Sequence, residues 1–214
     1  MDLISAIEKF LQEGGITSYM TAAAAIFLLF LAIDRIYYLF FKLRPADEKL
    51  LFDVNKRVLS RDYNGALQIC NSTQNVPELN VIKQGLMAVE SGREAMKSAL
   101  SGAVFEINKT CEKRVPLIAL IASVATLLGL LGTIAGMIRT FSAIGSAIDP
   151  TKKAEMLGSG ISGAMTSTAA GLVVGIIAMV IHTICTVKID EVTGEAQKTG
   201  FNLVTLIEKS ERGE

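Results

Sequence analysis

Apolar residues run through the chain in three charge-free stretches, each bounded by charged positions. They lie between Glu13 and Asp34, between Arg114 and Arg139, and between Glu155 and Lys188. A helix needs about 20 residues to cross a hydrocarbon core of about 30 Å, so each stretch can span a bilayer. The third is longer than needed, which assigns its Gly/Ser-rich start, GSGISG, to an interface. Ahead of the first, Leu3, Ile4, Ile7, Phe10 and Leu11 share a helical face before Gly14-Gly15 breaks the chain. Residues 1–15 are therefore expected as an amphipathic helix on the membrane surface. Acids outnumber the single Lys9 there, which argues against a signal peptide.

Between the first two spans the pattern changes to that of short amphipathic helices. They are expected to start at Asp47, at Asp62 and just after Pro77. Beyond Gly92, Met96, Leu100, Ala103, Ile107 and Cys111 share a face, and one long helix is expected to continue from there into the second span. After the third span, Ile189, Val192, Ala196, Leu203 and Leu206 predict a packed face on a helical extension. Lys and Arg concentrate between Lys42 and Arg114 and after Val187, which places both regions in the cytoplasm.

The expected fold class is thus an all-α membrane protein with three transmembrane helices. They cover residues 16–41, 115–140 and 161–187, with a small cytoplasmic helical region over 42–114. A short connection on the outer side is expected over 141–160, and a cytoplasmic C-terminal helix over 188–214. The N-terminus is then outside and the C-terminus cytoplasmic, in a multi-pass membrane protein surrounded by lipid.

Composition narrows the function. Half the residues are apolar and one-fifth charged, with no net charge, which fits a membrane protein with a sizeable aqueous portion. No basic stripe with interleaved aromatics points to nucleic acid. Cys70, Cys111 and Cys185 lack metal-ligand spacing and His182 is alone inside the third apolar stretch, so no metal and no cofactor is expected. No nucleophile–base pair suggests an enzyme. Asp34-Arg35 beside Tyr37 and Tyr38 reads as an interfacial anchor.

The second and third spans carry small residues at helical spacing. On the second, Ala119, Ala122, Thr126, Gly129, Thr133, Gly136 and Thr140 step by three or four, and Gly132 with Gly136 makes a GxxxG pair. On the third, Ala164, Thr168, Gly171, Gly175, Ala178 and His182 do the same, with Gly171 and Gly175 repeating the motif. Such stripes let helices approach closely, and Gly129, Gly132, Gly136, Gly171 and Gly175 are candidate helix-packing positions. Neither stripe holds a carboxylate or a Lys or Arg. A proton path across lipid needs a titratable group at depth, so conduction would require another subunit to bring it.

The second span, VATLLGLLGTIAGMIRTFSAIG, resembles that of the MotA/TolQ/ExbB proton-channel family, with its GLLGTVxGM signature followed by Phe. TSTAAGLVVGIIAMVIHT is similar to the family's third-span TAxGLxxAIPA segment, and RDYNGALQIC and ESGREAMKSAL resemble its cytoplasmic helices. The resemblance covers nearly the whole chain, in order. It implies a homopentamer of ExbB/TolQ-like subunits around an ExbD/TolR-like single-span partner bearing a transmembrane Asp. It further implies that Thr133 and Thr168 face the proton path and the partner. The function it implies is coupling of proton-motive force to mechanical work at the cell envelope, in TonB-dependent import, Tol-type envelope maintenance or motility. Gly163 stands where many members have Glu, and Ile177 where they have Pro. A non-conducting scaffold that clamps partner helices is the alternative.

Overall fold

The computed structural model describes residues 16–73, 75–146 and 149–212, so the helix expected over 1–15 lies outside it. The described chain is helical: α1 (Ile16–Ile36), α2 (Glu48–Leu59), α3 (Tyr63–Ser72), α4 (Pro77–Met87), α5 (Arg93–Glu112), α6 (Val115–Ser146) and α7 (Pro150–Arg212). A π-helical segment, Tyr37–Lys42, extends α1, and a 3-10 turn, Val89–Ser91, precedes α5. Three helical runs are long and apolar enough to cross a membrane. At 63 residues, α7 is about 95 Å long, three times a hydrocarbon core.

Local chemistry sets the helix ends. Asp47 caps α2 by accepting from the Lys49 N–H at 3.2 Å, and Asp62 caps α3 by accepting from the Gly65 N–H at 3.0 Å. Pro77 opens α4, where its missing N–H costs nothing. Within 141–160, expected as a connection, α6 continues to Ser146 and α7 already starts at Pro150. Asp149 accepts from the Thr151 N–H at 2.9 Å, and Pro150 takes the first helical position. The unbroken helix expected from Gly92 into the second span is instead interrupted. Arg114 adopts φ 70, a left-handed conformation that ends α5 before Pro116 sits in the first turn of α6.

The residues pack as two units. One comprises the chain up to Ile33 with Arg114–Thr183. Its core joins Leu28 and Leu31 of α1, Ile118, Ile121 and Ala122 of α6, and Ala178 of α7. Its other faces are covered with exposed apolar side chains, among them Phe27, Phe30, Leu127, Ile138, Leu172 and Ile176. That distribution suits lipid or further helices rather than water.

The other unit comprises Asp34–Lys113 with Ile184–Glu214. The face expected on α5 is buried in full: Met96, Leu100, Ala103, Ile107 and Cys111. On α7, Cys185, Ile189, Ala196, Leu203 and Ile207 are buried at near-heptad spacing, while Val192 and Leu206 are only half-buried. A Cβ on Gly85 of α4 would lie 2.6 Å from Leu100 and 2.8 Å from Leu203, so that glycine lets three helices meet. Arg61 donates to the Ser210 carbonyl at 2.6 Å, and Arg93 pairs with Glu208, which ties the end of α7 to its neighbours.

Arg35 is buried rather than snorkelling. Its Nη2 lies 2.7 Å from Asp34 Oδ2 and its Nη1 donates to the Lys113 carbonyl at 2.7 Å, closing the C-terminal end of α5. Glu78 is also buried, with Oε2 lacking a partner; burial pushes its carboxyl above the usual range, and nearby Glu195 adds to the rise.

Truncation of Leu203 to Ala should lower the stability of this unit by about 3 kcal/mol, read as a drop in melting temperature of the detergent-solubilised protein. Burial pushes the Cys70 thiol up to about 11. Native protein should therefore resist maleimide at Cys70 at pH 8, and unfolded protein should react. Because the folded value is the higher one, the stability this thiol contributes is present below about pH 9 and lost as pH rises through about 11.

Candidate functional site

The small residues of α6 and α7 bring two antiparallel backbones into contact. A Cβ on Gly171 would lie 2.6 Å from the Ala125 carbonyl oxygen and 2.7 Å from Gly129 Cα. A Cβ on Gly129 would meet Gly171 Cα at 3.1 Å and Thr168 Cα at 3.2 Å. Along the same seam, Gly132 packs on Ser167, Gly136 on Ala164, and Gly175 on Thr126 and the Ala122 carbonyl. Each glycine of the two GxxxG pairs therefore faces the other helix, and the pairing register runs unbroken over about four turns.

Thr168 crosses the seam. Its Oγ1 donates to the Gly129 carbonyl at 3.1 Å, a bond from α7 to α6. Thr133 does not join it. Its Oγ1 donates to the Leu130 carbonyl of its own helix at 2.6 Å, and the half-exposed side chain lines a shallow groove with Ile134, Met137, Ile138 and Phe141. No hydrogen bond links the two hydroxyls. Gly132, rather than Thr133, points at α7, because successive residues of an α-helix are rotated by about 100° around its axis. Thr126 and Thr140 satisfy their hydroxyls on the Ala122 and Gly136 carbonyls, one turn back.

A second groove, of about 340 Å³, opens where the seam widens towards the loop end, between Gly136, Arg139, Thr140, Gly160, Gly163 and Ser167. Gly163 lies on its wall. Side chains at the start of α1 also reach the seam: Thr17 Oγ1 would be 3.2 Å from a Cβ on Gly132, beside Ser167. Thr17, Ser18 and Thr21 are buried, an unusual load of hydroxyls for one apolar turn. That triplet was readable in ITSYMT, but spacing alone does not say that it faces Gly132. Among the described residues no group of three or more His, Cys, Asp or Glu side chains is placed to hold a metal.

A family model described as the MotA/TolQ/ExbB proton channel family matches residues 73–198. The chain belongs to this family. It is 27% identical over 191 residues to an ExbB homolog of Methanothermobacter thermautotrophicus, a match covering 89% of this chain and 67% of that protein. With an ExbB-like protein of Synechocystis sp. it shares 28% identity over 165 residues, covering 77% of this chain and 78% of the relative. In fold it is similar to the structure of C. jejuni MotAB, with TM-score 0.59 and 16% identity over 95% of this chain and 80% of that one. The MotA/TolQ/ExbB chain described here is thus a membrane subunit of the proton-channel type.

Substituting Gly171 with Ala should cost about 1–3 kcal/mol, since backbone atoms of Ala125 and Gly129 occupy the space and cannot rotate away. Gly158, whose Cβ would meet nothing within 4 Å, should accept Ala with no loss. Folded yield and melting temperature of the two variants check the contrast.

Proposed function

We propose that the chain is the ExbB/TolQ-like subunit of a proton-driven motor in a bacterial inner membrane, with its N-terminus periplasmic and its C-terminus cytoplasmic. Five copies surround an ExbD/TolR-like partner whose single span bears an Asp, and proton passage at that Asp drives mechanical work at the cell envelope. Thr133 and Thr168 face the path and the partner. Gly129, Gly132, Gly136, Gly171 and Gly175 hold the two helices that present them.

The Thr168–Gly129 bond, set in a seam without a charged side chain, carries this reading. A hydroxyl that donates to a carbonyl keeps its lone pairs, so Thr168 as it stands can accept from a protonated partner Asp. To donate to the ionised Asp it must leave Gly129, a bond worth about 1 kcal/mol net. The two protonation states of the partner would then select two states of the seam. One charge crossing 100 mV releases about 2.3 kcal/mol, more than this exchange requires.

The satisfied hydroxyls also favour a second reading, a scaffold that clamps partner helices without conducting. The two separate cleanly. Purified subunit and partner, reconstituted in vesicles with a trapped pH dye, should pass protons, and Thr168→Val or Thr133→Val should reduce the flux about tenfold or more while native mass spectrometry finds the assembly unchanged. Full function in both variants, alongside loss of assembly in Gly132→Leu, would establish the scaffold instead.

A further inference from the structure

The buried face of α1 changes chemistry along its length. In its later turns it is aliphatic, with Leu28 and Leu31 in one cluster with Ile118, Ile121 and Ala178. In its first two turns the buried residues are Thr17, Ser18 and Thr21. Alanine or valine would fill such positions without desolvating a polar group, so buried hydroxyls there require partners. Thr21 has one, the Thr17 carbonyl at 2.9 Å. Ser18 has none: its residue is 1% exposed and its Oγ is buried without a hydrogen-bond partner.

These hydroxyls meet a polar opening. The groove of about 340 Å³ at the loop end of the α6–α7 seam is lined by Thr140, Ser159 and Ser167, and its inner end reaches Gly132. A Cβ on Gly132 would lie 3.2 Å from Thr17 Oγ1 and 3.3 Å from Ser167 Oγ. The missing side chain thus lets hydroxyls of α1 and α7 converge beside α6. Ser167 donates to the Gly163 carbonyl at 3.3 Å, which leaves its lone pairs open. Gly132 stands three residues, about 4.5 Å of helix rise, from Gly129, whose carbonyl takes the Thr168 hydroxyl. Charge stays at the mouth, where Arg139 is exposed and its Nε donates to the Ala135 carbonyl at 3.3 Å. Deeper in, the groove offers lone pairs and hydroxyl hydrogens with no net charge. That chemistry suits water, and the volume far exceeds the about 15 Å³ that one water needs.

We propose that Thr17, Ser18 and Ser167 hold ordered water at the inner end of this groove, and that this water passes protons from the outer face to Thr168. The proposal rests on the motor reading above and adds the first span to the path. Ser18 Oγ gains its partner from the water. Each oxygen in the row accepts a proton on a lone pair and releases another hydrogen inward, so every group keeps its composition after a passage. No carboxylate of this chain is needed along that stretch.

Silver ion, applied outside vesicles that hold the full-length protein, should modify Ser18→Cys, read by intact mass. Ala32→Cys, further along the buried face of α1, should stay unmodified, as should wild type, whose Cys70, Cys111 and Cys185 are buried. With the Asp-bearing partner reconstituted alongside, Ser18→Ala and Ser167→Ala should each lower proton flux about fivefold. Ser18→Ala should do so with no fall in melting temperature, because it removes an orphaned hydroxyl. Thr17→Ser keeps the hydroxyl and should keep the flux. If Ser18→Ala fails to assemble, Ser167→Ala puts the same question from α7. An unmodified Ser18→Cys, or full flux in the alanine variants, overturns the proposal. A wild-type pair that passes no protons overturns the motor reading instead, and the silver result then decides the water site by itself.

Discussion

The membrane half of this protein rests on one contact, the approach of two backbones at Gly129 and Gly171. Lipid offers no hydrophobic drive for helices to associate, because acyl chains are as apolar as leucine. What remains is dispersion between closely fitted surfaces and the few hydrogen bonds that can form between them. Both need the helices near enough for carbonyls to be touched, and only glycine at these positions allows it. The Thr168 hydroxyl reaches the Gly129 carbonyl because of that proximity. The register of every other pair along the seam, from Gly136 with Ala164 to Gly175 with Thr126, follows from it.

The other unit is held by different means. There Leu79, Ile82, Leu100 and Leu203 are withdrawn from water, and ordinary hydrophobic burial sets the geometry. Polar groups appear in its interior only with compensation, as when Arg35 is neutralised by Asp34 and caps a helix end. Glu78 departs from that rule, and its raised pKa is the physical response to an incompletely satisfied carboxyl.

Much of this was legible in the chain. The buried face of α5 could be named residue by residue because an amphipathic helix has one apolar stripe and one period. The second and third spans are harder, since a helix that is apolar all round gives periodicity little to report. Small residues marked the right region, yet Thr133 and Gly132 are neighbours in sequence and only packing decides which of them meets α7. The interruption at Arg114 left only an ambiguous signal, because Pro116 can open a new helix or kink a continuous one, and Arg rarely adopts a positive φ.

Ile177 stands within the long α7, whose ladder runs without a break from Pro150 onward. An intact helix keeps its carbonyl oxygens engaged along its own axis. Transporters that strip water from sodium do so with unwound backbone, whose freed carbonyls replace the hydration shell. Neither α6 nor α7 provides such a break within its apolar stretch. Polar contacts inside those stretches therefore fall to side-chain hydroxyls and to carbonyls already engaged along the helix, with no unwound backbone to supply others.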